Sequence, residues 1–247
     1  MLPLALPGWL DAVVGLLTGF GLFIGFAALV GWLIARIGGP WVDRAQAKLT
    51  REQAGAERYG WHPGTDADGQ LHVAGCRIFA PDGHLRRILV GEYQGRPIRM
   101  AEFVHTTRGR YLPTTWVNHL VAIELSVRLP DLAVGPDLVI GPGPVVGDGA
   151  AVEPGMERVE VESEAFNQRF RAAGVDARYV SAVLHPRMME WLLDQPPVNF
   201  RLSGNLLVAY AAKPWTVPQT LTVLPVLSGV VDLIPPFVLS DYGRQVS

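Results

Sequence analysis

Cys76 is the single cysteine among 247 residues, so no disulfide can close within the chain and a small secreted scaffold held by bridges is excluded. The same residue, beside Ile78 and Phe79 with only Arg77 as a nearby charge, reads as a small buried hydrophobe rather than a reactive thiol. Lysine is almost missing too: Lys48 and Lys213 stand against nineteen arginines, a skew that a GC-rich genome produces without functional demand. With 21 basic against 23 acidic residues, the chain lacks the basic field that draws proteins onto phosphate backbones, and nucleic acid is not an expected partner.

Signature motifs are missing as well. The glycines of Gly141-Pro142-Gly143-Pro144 and Gly147-Asp148-Gly149 do not form GxGxxG, no Gly-Lys-Ser/Thr follows, and no GxSxG elbow presents a nucleophile. His62, His72 and His84 lie ten and twelve residues apart in turn-rich sequence, without the close ligand pairs of a zinc site. No catalytic, cofactor-binding or metal-ligating residue is therefore assigned, and no cofactor is expected. His105 and His119 fall on neighbouring predicted strands, where they could meet across a sheet as a hydrogen-bonded pair. Together with His185 they are the histidines on which an enzymatic reading would rest.

What is present begins with a long uncharged stretch. Ala12 to Ala35 holds twenty-four residues without a charge, roughly 36 Å of helix, enough to cross a hydrocarbon core of about 30 Å. Trp9 and Trp32 mark its ends, where an indole keeps its ring apolar and its N–H wet. No Lys or Arg precedes it, whereas Arg36, Arg44, Lys48 and Arg51 follow, so the positive-inside rule places the N-terminus outside and the C-terminal side in the cytoplasm. A cleaved signal peptide would need a basic n-region and a shorter apolar core, and neither is present. Gly15 and Gly19, then Gly21 and Gly25, stand four apart. That spacing suits close helix packing, by self-association or against another membrane protein, and it equally suits a membrane helix that is merely rich in glycine.

Three parts follow: an N-terminal tail and transmembrane helix over 1–37, a juxtamembrane stalk and irregular entry segment over 38–75, and a globular domain over 76–247. The fold expected is α+β, an antiparallel β-meander packed with three to four helices. Strands are predicted over Cys76 to Ala80, Leu85 to Tyr93, Pro97 to Thr106 and Trp116 to Arg128. Pro81-Asp82-Gly83 and Gln94-Gly95 form turns, with Gly83 expected to supply a positive φ. Val117, His119, Val121, Ile123 and Leu125 repeat with period two and define one buried face. Leu138 to Gly155 reads as a loop. Ser163 caps a helix through Ala173, Asp176 caps a second, and Pro186 opens a third through Leu193. Val198 to Leu202 and Asn205 to Ala211 are expected to pair as a hairpin through Ser203-Gly204. Thr216 then caps a last helix to about Ile234, whose Pro218, Pro225 and Asp232 argue against a second membrane span.

At His185-Pro186-Arg187-Met188-Met189-Glu190-Trp191-Leu192-Leu193, taken with the Tyr93-Gln94-Gly95-Arg96-Pro97 hairpin, the Val121-Ala122-Ile123-Glu124-Leu125 strand and the Phe166 to Phe170 helix, a likeness emerges. The chain resembles an uncharacterised family of actinobacterial single-pass membrane proteins with a cytoplasmic α+β domain. That resemblance implies anchoring and fold, and no site residue. The function expected is a membrane-anchored, non-enzymatic interaction or accessory domain at the cytoplasmic face, with the bilayer and another membrane protein as partners. Two rivals stand beside it: a lipid-headgroup sensor using Arg44, Lys48, Arg51, Arg86, Arg87, Arg96 and Arg99, and an enzyme of undefined class.

Overall fold

The computed structural model describes residues 55–108, 113–136, 155–212 and 215–246. The expected transmembrane helix, the stalk up to residue 54 and the loop of residues 138–154 lie outside these. Among the described residues no helix is long and apolar enough to cross a membrane. The unit they form begins at Gly55, and it is an α+β domain built on one antiparallel sheet.

Strand β1 (His62–Pro63) pairs with β2 (His84–Tyr93), which turns back into β3 (Arg96–Arg108). The turn is the two-residue one read from the sequence: Tyr93 pairs with Arg96, and Gln94 and Gly95 have φ of 52° and 73°. Two positive φ values in succession give the turn that follows the twist of the strands. Strand β4 (Pro113–Gly135) runs 23 residues through the middle of the sheet. It takes β3 on one side, β7 (Asn199–Ala211) on the other, and lower down the short β6 (Arg171–Gly174), which pairs with β5 (Glu157–Val159). Strand β8 (Arg244–Gln245) joins β4 at Val127 and Arg128.

The sheet is buried on both faces, not on one as the period-two pattern suggested. Ile98, Met100, Val121, Ile123, Leu207 and Ala209 face the larger core with α2 (Glu164–Arg169), α3 (Ala177–Val183), α4 (Pro186–Asp194), α5 (Val217–Leu233) and α6 (Pro236–Asp241). Ala101, Phe103, Leu120, Ala122, Leu206, Val208 and Tyr210 face a second core under α1 (Gln70–Ile78). The run Leu120-Val121-Ala122-Ile123 is wholly enclosed, so continuous hydrophobicity rather than alternation marks this strand.

Helix α1 corrects the expected strand at Cys76 to Ala80 and brings order to a segment read as irregular. Asp66 is the physical reason: its carboxylate accepts from the backbone N–H groups of Leu71 and His72, at 3.1 and 2.8 Å, satisfying donors that a first helical turn leaves orphaned. The apolar face that results, Leu71, Ala74 and Ile78, packs on β3, β4 and β7. Helix α2 also ends earlier than expected. Ser163 does cap it, accepting from the Phe166 N–H at 3.3 Å, but the chain turns extended at Phe170 and continues as β6. The predicted hairpin at Ser203-Gly204 is instead one continuous strand, β7. Gly204 takes a φ of 61° where the β4 register shifts, so the Gly signal marks an irregular, bulged step and not a reversal.

Helix α5 starts as read: the Thr216 N–H donates to Gln219 Oε1 at 2.9 Å, and Pro218 occupies the first turn. Its polar residues are used inside the fold. Ser228 donates to Gln94 Oε1 at 2.8 Å and accepts from Arg96 at 2.6 Å, tying the β2–β3 turn to the helix.

Candidate functional site

The arginines assigned to a lipid-facing cluster do not form one. Arg86 and Arg87 both grip Glu102, at 2.6 and 2.8 Å. Arg96 holds Asp232 at 2.5 Å. Arg99, only 15% exposed, bonds Asp66 at 3.0 Å, Glu124 at 2.5 Å and Asp68. These guanidiniums are spent on fixing β2 to β3, β3 to β4 and to the α1 entry, and the β2–β3 turn to α5. The remaining members of that cluster, Arg44, Lys48 and Arg51, fall outside the described residues.

The histidines do not meet either. In the β3–β4 register Glu102 lies opposite His119 and Trp116 opposite His105, so the two rings are three steps out of register and on opposite faces of the sheet. His105 stacks on Phe79 with centroids 6.1 Å apart, in the α1 core. Burial lowers its pKa. His185 bonds the Leu233 carbonyl through Nε2 at 3.0 Å, fastening the start of α4 to the end of α5. His72 sits against Cys76 (Sγ to Nε2, 3.5 Å), and the same nitrogen lies 3.0 Å from the Gly83 carbonyl. Burial pushes the Cys76 thiol up, away from the thiolate a nucleophile requires. Among the described residues no group of three His, Cys, Asp or Glu side chains converges on a metal position.

His119 matters for stability. Its Nδ1 accepts the Trp215 backbone N–H at 3.2 Å, which leaves the proton on Nε2, and Nε2 is buried without a partner. Burial of the ring pushes its pKa down to about 4 from 6.5. Because the folded value lies below the unfolded one, this histidine contributes stability that is complete above pH ~6.5 and is lost as pH falls toward ~4. A loss of about 2 kcal/mol between pH 7 and 5 is expected from this group, seen as a lower urea midpoint. His119→Asn, which keeps an acceptor for Trp215, removes most of that acid sensitivity; an unchanged pH profile would refute the assignment.

Trp215, packed on the His119 ring at 5.4 Å between centroids, forms part of a cleft of about 460 Å3. Three stretches line it: Pro196 to Asn199 at the entry to β7, Tyr210 to Ala212 at its exit, and Trp215, Gln219, Thr222 and Val223 at the start of α5. None of these side chains is charged. Pro196-Pro197 is stiff and extended, because each ring fixes φ and removes a donor. Trp215 and Tyr210 supply aromatic area, and Gln219 and Thr222 supply neutral hydrogen-bonding groups on an exposed helix face. Among the described residues this lining holds no carboxylate, imidazole, amine or thiol, and it is suited to recognition of an uncharged ligand. The trace of this cleft in the sequence is slight: two prolines and a Trp flanking one strand.

No family model matches the chain, and no curated protein matches it. Among solved structures it is similar to the crystal structure of the mycobacterial trehalose monomycolate transport factor A, TtfA, at 10% identity with a TM-score of 0.52. The match covers 76% of this chain and 96% of that one, and its source agrees with the actinobacterial resemblance read from the sequence. At that identity the likeness is one of fold.

Proposed function

We propose that this chain is a membrane-anchored accessory protein without catalytic activity of its own, whose domain at the cytoplasmic face receives an uncharged, extended stretch of a partner protein in the cleft beside α5. The anchor is the uncharged run from Ala12 to Ala35, oriented by the arginines that follow it. The observation that carries the reading is the composition of the cleft: aromatic and proline walls, neutral amides and hydroxyls, and no charged side chain among the described residues. Extended, proline-containing segments dock in grooves of this kind because they lose little entropy on binding. Membrane tethering raises the local concentration of membrane partners, so a modest intrinsic affinity is enough. The fold neighbour is described as a transport factor, and an accessory part in a transport process fits the same picture. The headgroup-sensor reading is weakened by the ion pairs that occupy Arg86, Arg87, Arg96 and Arg99. Packing of the Gly15/Gly19 helix face on itself or on another span belongs to the proposal as well.

A photo-crosslinking residue placed at Thr222 in the full chain, in its own membrane, tests the proposal. A defined adduct with a second protein is expected. Trp215→Ala should reduce it roughly thirtyfold, the effect of losing an aromatic anchor worth about 2 kcal/mol. An adduct that forms equally well in Trp215→Ala, or none but the chain with itself, sinks the reading. Protease added outside intact cells is expected to leave the domain intact; its digestion would overturn the orientation.

A further inference from the structure

One pair of arginines was not foreseen, and it is arranged unlike the others. Arg128 on β4 and Arg244 on β8 occupy directly opposite positions in an antiparallel ladder. Opposed Cβ atoms in such a ladder stand about 4.5 to 5.5 Å apart, and like charges there repel. Elsewhere the fold answers its half-buried guanidiniums with carboxylates, as at Glu102, Asp232 and Asp66. Here it does not: among the described residues neither Arg128 nor Arg244 has an ion-pair partner, and the acids three residues from each along the chain are engaged elsewhere, Asp131 with Arg77 and Arg201 and Asp241 with the Ser240 hydroxyl. The Arg128 Nε–H is buried and has no acceptor. A desolvated charged donor left unpaired is costly. Arg128 is half-buried while Arg244 is exposed, so the pair is reachable from solvent on one side.

We propose that Arg128 and Arg244 form an oxyanion site that takes a phosphate group. A tetrahedral oxyanion held between the terminal N–H groups of the two guanidiniums neutralises their repulsion. Guanidinium forks match phosphate oxygens in pairs, which makes arginine the residue suited to this task. The site lies on β4 and β8, on none of the residues that line the cleft, so it stands or falls independently of the partner reading. The phosphate can come from solution or from a lipid headgroup, and the two sources separate experimentally.

The full chain in non-ionic detergent is titrated with inorganic phosphate, and separately with short-chain phosphatidic acid, at constant ionic strength against chloride, while thermal unfolding is followed by Trp fluorescence. The wild-type midpoint is expected to rise with at least one of the two and not with chloride. Arg244→Gln, at an exposed position that leaves the fold intact, should weaken the response about tenfold or more. Arg244→Glu should abolish it and also raise the midpoint in phosphate-free buffer, because it turns a like-charge pair into an opposite one. A rise with both compounds assigns free phosphate as a sufficient ligand, and a rise with phosphatidic acid alone assigns the headgroup. No rise with either, or an equal rise in wild type and Arg244→Gln, overturns the proposal.

Discussion

Arg99→Ala should cost about 3 kcal/mol of folding stability at neutral pH, the lower end of what breaking a buried ion pair costs because two of its three partners keep some contact with water. Arg99 is 15% exposed and serves Asp66, Asp68 and Glu124 at once, with Asp66 itself only 6% exposed. Its removal strips the cation from three converging carboxylates, one of which caps α1 through the Leu71 and His72 N–H groups. The Arg99 hydrogen bond, with smaller help from the Gln70 N–H, holds the Asp68 carboxyl below its ordinary 3.8 against the opposing effect of burial. A depressed folded pKa means that the stabilisation is present above the unfolded value and is lost as pH falls through the folded one. Wild type therefore loses the Asp68 part of this increment in acid and the variant does not, so the gap between the two denaturant midpoints should narrow as pH falls below about 4. Arg99→Lys should fall between them, since a point charge cannot serve three carboxylates with a planar fork. A gap between wild type and Arg99→Ala that widens in acid would contradict the account.

Phe103→Ala should cost about 3 to 5 kcal/mol, as for a large aromatic removed from a closed core. The ring is fully buried, stacked on Phe79 at 5.7 Å, and seated against two glycines, Gly75 of α1 and Gly83 of the turn before β2. Gly83 has no positive φ, so its glycine is required for a reason other than the one its turn suggested: a Cβ there would overlap the Phe103 ring edge. Gly83→Ala alone should then lose about 1 to 3 kcal/mol through overpacking. Combined with Phe103→Leu, it should cost less than the sum of the two single changes, because the shorter side chain vacates the space the new methyl needs. Additive urea midpoints across that cycle would show that the two sites do not share the contact.

Much of the local structure was legible because it depends on neighbours in the chain. Gln94-Gly95 specified its turn, Ser163 and Asp176 capped their helices, and Pro186 and Pro218 opened theirs as read. Errors fell where a distant group decided. Helix α1 owes its burial to a sheet face contributed by β3, β4 and β7, none of which can be seen in the window Gln70 to Ile78. The Ser203-Gly204 signal is the same for a turn and for a bulge, and only the length of β4 alongside it selects the bulge. The cleft draws on residues 196 to 223 from three elements, and the Arg128–Arg244 opposition joins positions more than a hundred residues apart.

From composition and order alone came the α+β class, the β2–β3–β4 meander, the helix caps, the expectation of a single N-terminal anchor, and the absence of a recognisable catalytic motif. These follow from periodicity, turn chemistry and charge counts, which act over a few residues. Tertiary structure alone decided that the sheet is buried on both faces, that four of the suspected lipid-facing arginines are bound to carboxylates, that His105 and His119 lie on opposite faces, and that among the described residues a cleft without charged side chains and a pair of guanidiniums without carboxylates remain. The physical reason is register: whether two side chains meet, repel or pass one another depends on how strands slide past each other, and that is set by the summed burial of the whole core.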